Sequence, residues 1–313
     1  MAARKKRGVY DERRSGVKRT LLFRGTGTAL VTPFRPNGAI DDKALRKLVA
    51  FQIRGGVEAL LPTGTTGESV TLTDDEQARV VAIVAEEANG RVPVIAGAGS
   101  NSTVKAIALA KRMILSGADG ILSVGPYYNK PTQEGYFRHY EAIAEAVQAP
   151  VIVYNVPGRT ASNIEAETTL RIAEELPSIA GIKEASGNFD QVMKILRGRP
   201  AGFGVWSGDD AVTLPLVALG ADGVVSVVAN EVPSKFSSMV RLCLKGQFDK
   251  ALPMHNALLD LMNFNFVESN PIPAKAALAM MGMIGEYVRL PLVPLSDRHR
   301  TRLKAILKRL KLV

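Results

Sequence analysis

The chain has 313 residues, 46% of them hydrophobic and 22% charged, enough for one large α/β barrel or two medium domains without disulfide staples. Cys243 is the only cysteine, which excludes an internal disulfide framework and fits a reducing compartment, so the expected location is the cytoplasm. The net charge of +10 resembles a nucleic-acid signal, but residues 1–24 hold nine Lys/Arg against Asp11 and Glu12, a charge of +7 that leaves only +3 elsewhere.

The first predicted element is therefore a basic, disordered tail over 1–24, read as a solvated arm rather than a polyanion-binding one. No apolar h-region follows it, and no apolar stretch approaches the roughly 18 residues that span a bilayer. From Gly25 short apolar runs alternate with amphipathic segments. The predicted strands are Thr28–Thr32, Val57–Leu61, Val94–Gly97, Gly120–Val124, Val151–Tyr154, Ala180–Lys183, Gly204–Ser207 and Gly223–Ser226. Between them lie helical patterns such as Asp74–Asn89, opened by the capping box Thr73-x-x-Glu76, with Val80, Val81, Val84 and Ala88 on one face. Continuously apolar strands imply burial on both faces, as in a parallel sheet. Eight strand–helix units over 25–246 predict a (β/α)8 TIM barrel. An open doubly wound sheet would want G-x-G-x-x-G, and Gly25-Thr26-Gly27 lacks the remainder. Strand signals stop near residue 246. Phe248–Phe266, Pro273–Met283 and Arg298–Leu310 then predict a helical C-terminal appendage over 247–313, used in packing or assembly.

A barrel presents its chemistry at the C-terminal ends of its strands. Those ends carry Gly64-Thr65-Thr66-Gly67-Glu68-Ser69, Tyr127-Tyr128-Asn129, Tyr154-Asn155-Val156-Pro157-Gly158-Arg159-Thr160, Lys183, and Ser207-Gly208-Asp209-Asp210. His139, His255 and His299 fall in helical or C-terminal segments, so neither a metal cluster nor a Ser-His-Asp set is expected. Asp209 and Asp210 read as acids at a helix N-terminus. Lys183, at the tip of Ile179-Ala180-Gly181-Ile182, is either an ion-pair partner or a nucleophile for a carbonyl.

Covalent amine chemistry is what this inventory supports. A lysine attacks a ketone only as the neutral amine, which a dry apolar interior favours. Hydroxyls and phenols both donate and accept, so Thr65, Tyr128 and Tyr154 suit a proton relay. The Gly64–Gly67 turn, with its N–H groups and the Thr66 hydroxyl, suits the carboxylate of a keto acid. Arg159 could grip a second carboxylate bidentately.

These motifs, in this order and spacing, resemble the dihydrodipicolinate synthase family of pyruvate-dependent class I aldolases, from about Gly25 to the C-terminus. The resemblance implies a Schiff base between Lys183 and pyruvate, with no other cofactor and no metal. Tyr154 would be the proton donor and acceptor. Thr65 and Tyr128 would complete the relay, with Tyr128 supplied by a neighbouring subunit. Thr66 would hold the pyruvate carboxylate, the Val225 backbone would contact pyruvate, and Arg159 would bind the carboxylate of L-aspartate 4-semialdehyde. It further implies a homotetramer built as a dimer of dimers, acting in diaminopimelate and lysine biosynthesis. The rivals are N-acetylneuraminate lyase, the sugar-acid or 4-hydroxy-2-oxoglutarate aldolases and, in a different class, a non-catalytic barrel with a polyanion-binding tail. Arg159 favours the synthase, since a sugar substrate needs hydroxyl-binding groups more than a second guanidinium. Asn101 and Tyr127 match a lysine-binding site of sensitive family members, whereas Asp74 and Lys105 depart from it.

Overall fold

The computed structural model describes residues 21–313. The predicted tail lies outside the described residues over 1–20. Residues 21–24, grouped with it on charge, belong to the barrel: Phe23 is buried and stacks on Trp206 with ring centroids 4.9 Å apart.

Strands and helices alternate in chain order. The first half runs β1 (Gly25–Ala29), α1 (Asp42–Arg54), β2 (Ala59–Leu61), α2 (Asp74–Ala88), β3 (Ile95–Gly97), α3 (Thr103–Leu115), β4 (Gly120–Val124) and α4 (Gln133–Ala146). The second half runs β5 (Val151–Asn155), a single turn α5 (Pro157–Thr160), α6 (Ala166–Glu175), β6 (Ile179–Glu184), α7 (Phe189–Gly198), β7 (Gly204–Ser207), α8 (Thr213–Ala218), β8 (Gly223–Ser226) and α9 (Pro233–Leu244). All pairings are parallel, in the order β2-β1-β8-β7-β6-β5-β4-β3. A Leu60–Val94 bridge, with Leu60 N–H donating to the Pro93 carbonyl at 3.0 Å, joins β2 to β3 and completes the ring. The fold is a TIM barrel.

The strands are continuously apolar because side chains on one face fill the barrel and those on the other meet helices. Leu61, Ile95, Leu122, Ile152, Trp206 and Val225 form the inner cluster. Gly204 leaves room for the Trp206 indole: a Cβ there would lie 2.1 Å from the ring. Helix α2 begins as its capping box requires, with Glu76 N–H donating to Thr73 Oγ1 (3.2 Å) and Thr73 N–H to Glu76 Oε2 (2.9 Å). It ends one residue earlier than predicted, because Asn89 takes a left-handed cap at φ 46°.

The C-terminal region supplies α10 (Phe248–Phe264), α11 (Ile272–Met280) and α12 (Asp297–Arg309). It shares one apolar core with the barrel's last helix: Phe236, Met239 and Val240 pack with Leu258, Leu261, Ala276 and Leu303. Between α11 and α12, Arg289 reaches back to the first half of the barrel. Its guanidinium donates to both Glu76 oxygens (2.7 and 2.6 Å) and to the Thr71 and Gly38 carbonyls. That bidentate bond holds the Glu76 carboxyl down at about 2, against 4.5 ordinarily. The native state thus binds the proton more weakly than the unfolded chain, so the pair stabilises above about pH 4.5 and ceases to do so as pH falls through about 2. We expect Arg289→Ala to lower Tm at neutral pH, with a deficit that narrows as a Tm series is carried from pH 5 toward 2. A deficit unchanged across that series would contradict the assignment.

Candidate active site

Tyr154 and Lys183 face each other in register at the tips of β5 and β6. The Lys183 Nζ lies 4.0 Å from the Tyr154 ring centroid, and the lysine is 6% exposed. The next pair along, Asn155 and Glu184, is also in register. Glu184 accepts from Asn155 Nδ2 (3.1 Å), Gln191 Nε2 (3.1 Å) and its own loop's Ser186 N–H (2.7 Å). This buried, satisfied network pins the two strand ends, and with them the amine above the phenol. Lys183 makes no ion pair among the described residues.

Above these two residues lies a cavity of about 140 Å³. Thr65, Thr66, Tyr154, Arg159 and Lys183 all line it. Val225, in β8, is buried in the same apolar cluster as Tyr154 and does not itself line the cavity; Val227, just after β8, does. Tyr128 is not brought to the cavity by its own chain; it is 89% exposed, with a left-handed φ of 73°.

The turn after β2 is built to expose donors. Gly67 and Ser69 N–H bond to the Gly64 carbonyl, and Glu68 N–H to that of Thr65. The Thr65 and Thr66 amides have no protein acceptor among the described residues. Thr63 and Glu68 bracket the turn in left-handed conformations, at φ 55° and 53°. Gly97 permits this, because a Cβ there would lie 2.2 Å from the Thr63 carbonyl oxygen. Two free amides and a hydroxyl on residues that line one cavity suit a carboxylate. Arg159, exposed on the single turn α5, has no ion partner among the described residues, so its guanidinium is available at the cavity mouth.

Asp209 and Asp210 divide their roles. Asp209 accepts from Ala211 N–H (2.9 Å) and lines the cavity; α8 has Val212 at its N-cap with no side-chain cap bond and no acid in its first turn, so neither aspartate takes the helix N-terminal place expected of it. Asp210 instead is buried and accepts from Val227 and Val228 N–H (3.0 and 2.8 Å), tying the end of β7 to the loop after β8. Burial pushes its carboxyl up to about 6. None of the three histidines lines the cavity. His139 bonds Thr103 and is driven down to about 4 by burial, and His299 pairs with Glu268.

The sequence missed the C-terminal contribution. Phe266 and Asn270 line the cavity, and Asn270 Nδ2 donates to Thr66 Oγ1 at 2.9 Å. Behind the turn, Lys275 Nζ donates to Glu68 Oε1 (2.6 Å) and the Thr32 carbonyl (2.9 Å). The only hint was Asn270-Pro271-Ile272-Pro273, a proline-punctuated entry into a helix with two polar residues, Asn270 and Lys275, flanking apolar ones.

A model of the Dihydrodipicolinate synthetase family matches residues 22–310. The chain belongs to this family. It is 51% identical over 294 residues to the 4-hydroxy-tetrahydrodipicolinate synthase of Chlorobium phaeobacteroides, covering 94% of this chain and 99% of that one. The crystal structure of dihydrodipicolinate synthase from Thermotoga maritima superposes with a TM-score of 0.92 at 45% identity, over 93% of this chain and all of that one. The Acinetobacter baumannii synthase complexed with pyruvate gives 0.91 at 43% identity, over 93% and 99%.

Proposed function

We propose that the chain is a 4-hydroxy-tetrahydrodipicolinate synthase, condensing pyruvate with L-aspartate 4-semialdehyde in diaminopimelate and lysine biosynthesis. The observation that carries this is the buried Lys183 amine over the Tyr154 ring, in one cavity with an unpaired cradle of amides and an unpaired guanidinium. The Lys183 Nζ attacks the C2 carbonyl of pyruvate, and loss of water gives the imine. Tyr154, with Thr65 and Tyr128, moves the protons that carbinolamine formation and dehydration require. The Thr65 and Thr66 amides and the Thr66 hydroxyl hold the pyruvate carboxylate, with the Val225 backbone below. Loss of a proton from C3 gives the enamine, which adds to the aldehyde carbon of the second substrate. Arg159 holds that substrate's carboxylate. Its amino group then attacks the imine carbon, expels Lys183 and closes the ring.

The exposure of Tyr128 supports its donation to a neighbouring subunit, and hence a dimer as the active unit within a tetramer. No helix among the described residues is long and apolar enough to cross a membrane. We place the enzyme in the cytoplasm, on its single cysteine and its biosynthetic role.

The reading is tested by giving the protein pyruvate with a panel of aldehydes. Aspartate semialdehyde is the expected preferred acceptor, and preference for a sugar aldehyde would move the assignment to the sugar-acid aldolases. A companion prediction concerns feedback. Asp74 and Lys105 are both exposed, and the Lys105 ammonium would repel that of a lysine ligand, so L-lysine should inhibit weakly or not at all. A sub-millimolar inhibition constant in a steady-state titration would contradict this.

A further inference from the structure

We infer that Asn270 is a positioning residue for the keto-acid carboxylate, and that it acts by fixing the direction of the Thr66 hydroxyl. This rests on the reading of Thr66 as a carboxylate ligand. A threonine hydroxyl has one proton to give and lone pairs to accept with. Left alone it turns to whichever neighbour is present. Here Asn270 Nδ2 donates to Thr66 Oγ1 at 2.9 Å, with both residues buried in the cavity wall. The lone pair facing Asn270 is occupied, and the hydroxyl makes no donated bond to the protein among the described residues. Its proton is left for the cavity that Thr65 and Thr66 line. A hydroxyl that accepts one bond while donating another is polarised into a stronger donor.

The same segment holds the other end of the turn. Lys275 bonds Glu68 Oε1, and Arg289 N–H donates to Glu68 Oε2 at 3.1 Å. The anion cradle is thus set from the C-terminal region, more than two hundred positions away in sequence, as well as from β2. Packing alone would accept any side chain of this size at 270. Direction of the hydroxyl requires a donor there.

Asn270→Asp separates the two. Aspartate is nearly isosteric but accepts only, so it turns the Thr66 proton away from the cavity and adds a negative charge beside an anion. We expect KM for pyruvate to rise about tenfold or more, with KM for the aldehyde little changed. We expect that rise to shrink as pH is lowered and the new carboxyl regains a donor proton. Asn270→Ala, which only removes the donor, should raise KM less than Asn270→Asp does. Thr66→Val measures the underlying reading: an unchanged pyruvate KM in that variant overturns Thr66 as a ligand. A raised KM in Thr66→Val, with Asn270→Asp and Asn270→Ala equally affected and no pH dependence, overturns the role of Asn270 alone. Should Asn270→Asp fail to fold, Asn270→Ala against Asn270→Ser decides: only the serine variant, which restores a hydroxyl donor, should recover part of the lost pyruvate affinity. Equal affinity in these two would contradict the proposal.

Discussion

Replacing Lys183 by alanine should lower kcat by about 10³-fold or more, on the order of 4 kcal/mol of barrier, without unfolding the protein. The loss is large because the amine is the atom that becomes covalently attached, and no second lysine lines the cavity. The stability expectation follows from the surroundings. Lys183 is buried among apolar side chains and has no carboxylate partner among the described residues, so its removal leaves no charge stranded. Burying an unpaired amine is itself costly, and Lys183→Ala should have a Tm at or above that of the parent. Lys183→Arg puts a guanidinium in place of the nucleophilic amine, and should be as inactive. Steady-state rates and thermal melts on the three proteins check both halves. An alanine variant that kept a tenth of the activity, or that lost its cooperative melt, would contradict the account.

Lys275→Ala should have the opposite signature, a large loss of stability. Lys275 and Glu68 are both fully buried, with side-chain exposures of 0% and 1%. Burial pushes the Lys275 amine down to about 8, against the pull of Glu68. Truncating it strands the Glu68 carboxylate in the interior, at a cost of about 3–5 kcal/mol. Glu68 also closes the turn that carries Thr65 and Thr66, so the pyruvate KM of any folded fraction should rise. The double variant Lys275→Met with Glu68→Gln removes the stranded charge and should recover much of the stability. Denaturant melts of single and double variants form the test. A double variant no better than Lys275→Ala would show that the ion pair is not the source of the loss.

These two lysines also mark what the sequence can and cannot convey. Lys183 was legible because it ends an apolar run, and barrel geometry brings strand ends together. The same logic located Tyr154, Thr65, Thr66 and Arg159 in one cavity. The bounds of β4, β7 and β8 were legible because glycine or loop residues flank short apolar runs. The first strand was misplaced by three residues. It is Gly25–Ala29 rather than Thr28–Thr32: Thr26 and Thr28 are both fully buried within it, and Thr28 Oγ1 donates to Gln52 Oε1 at 2.9 Å. Leu30 and Val31, which carried the prediction, pack under the loop and α1 instead. The second strand was drawn too long because Val57 is buried ahead of it, while Glu58 serves as an acceptor for Thr26 N–H and Arg241. Asn270, Lys275 and Glu68 were illegible for a different reason. Their partners lie more than two hundred positions apart, and no local pattern records a contact that only chain closure creates.

The central claim is that Lys183 forms an imine with pyruvate. The direct measurement is borohydride reduction of the protein in the presence of pyruvate, followed by peptide mass mapping. We predict a single added mass of one reduced pyruvate imine, on the peptide containing Lys183, with loss of activity in proportion. An unmodified Lys183 peptide under these conditions, or the adduct on another lysine, would contradict the account.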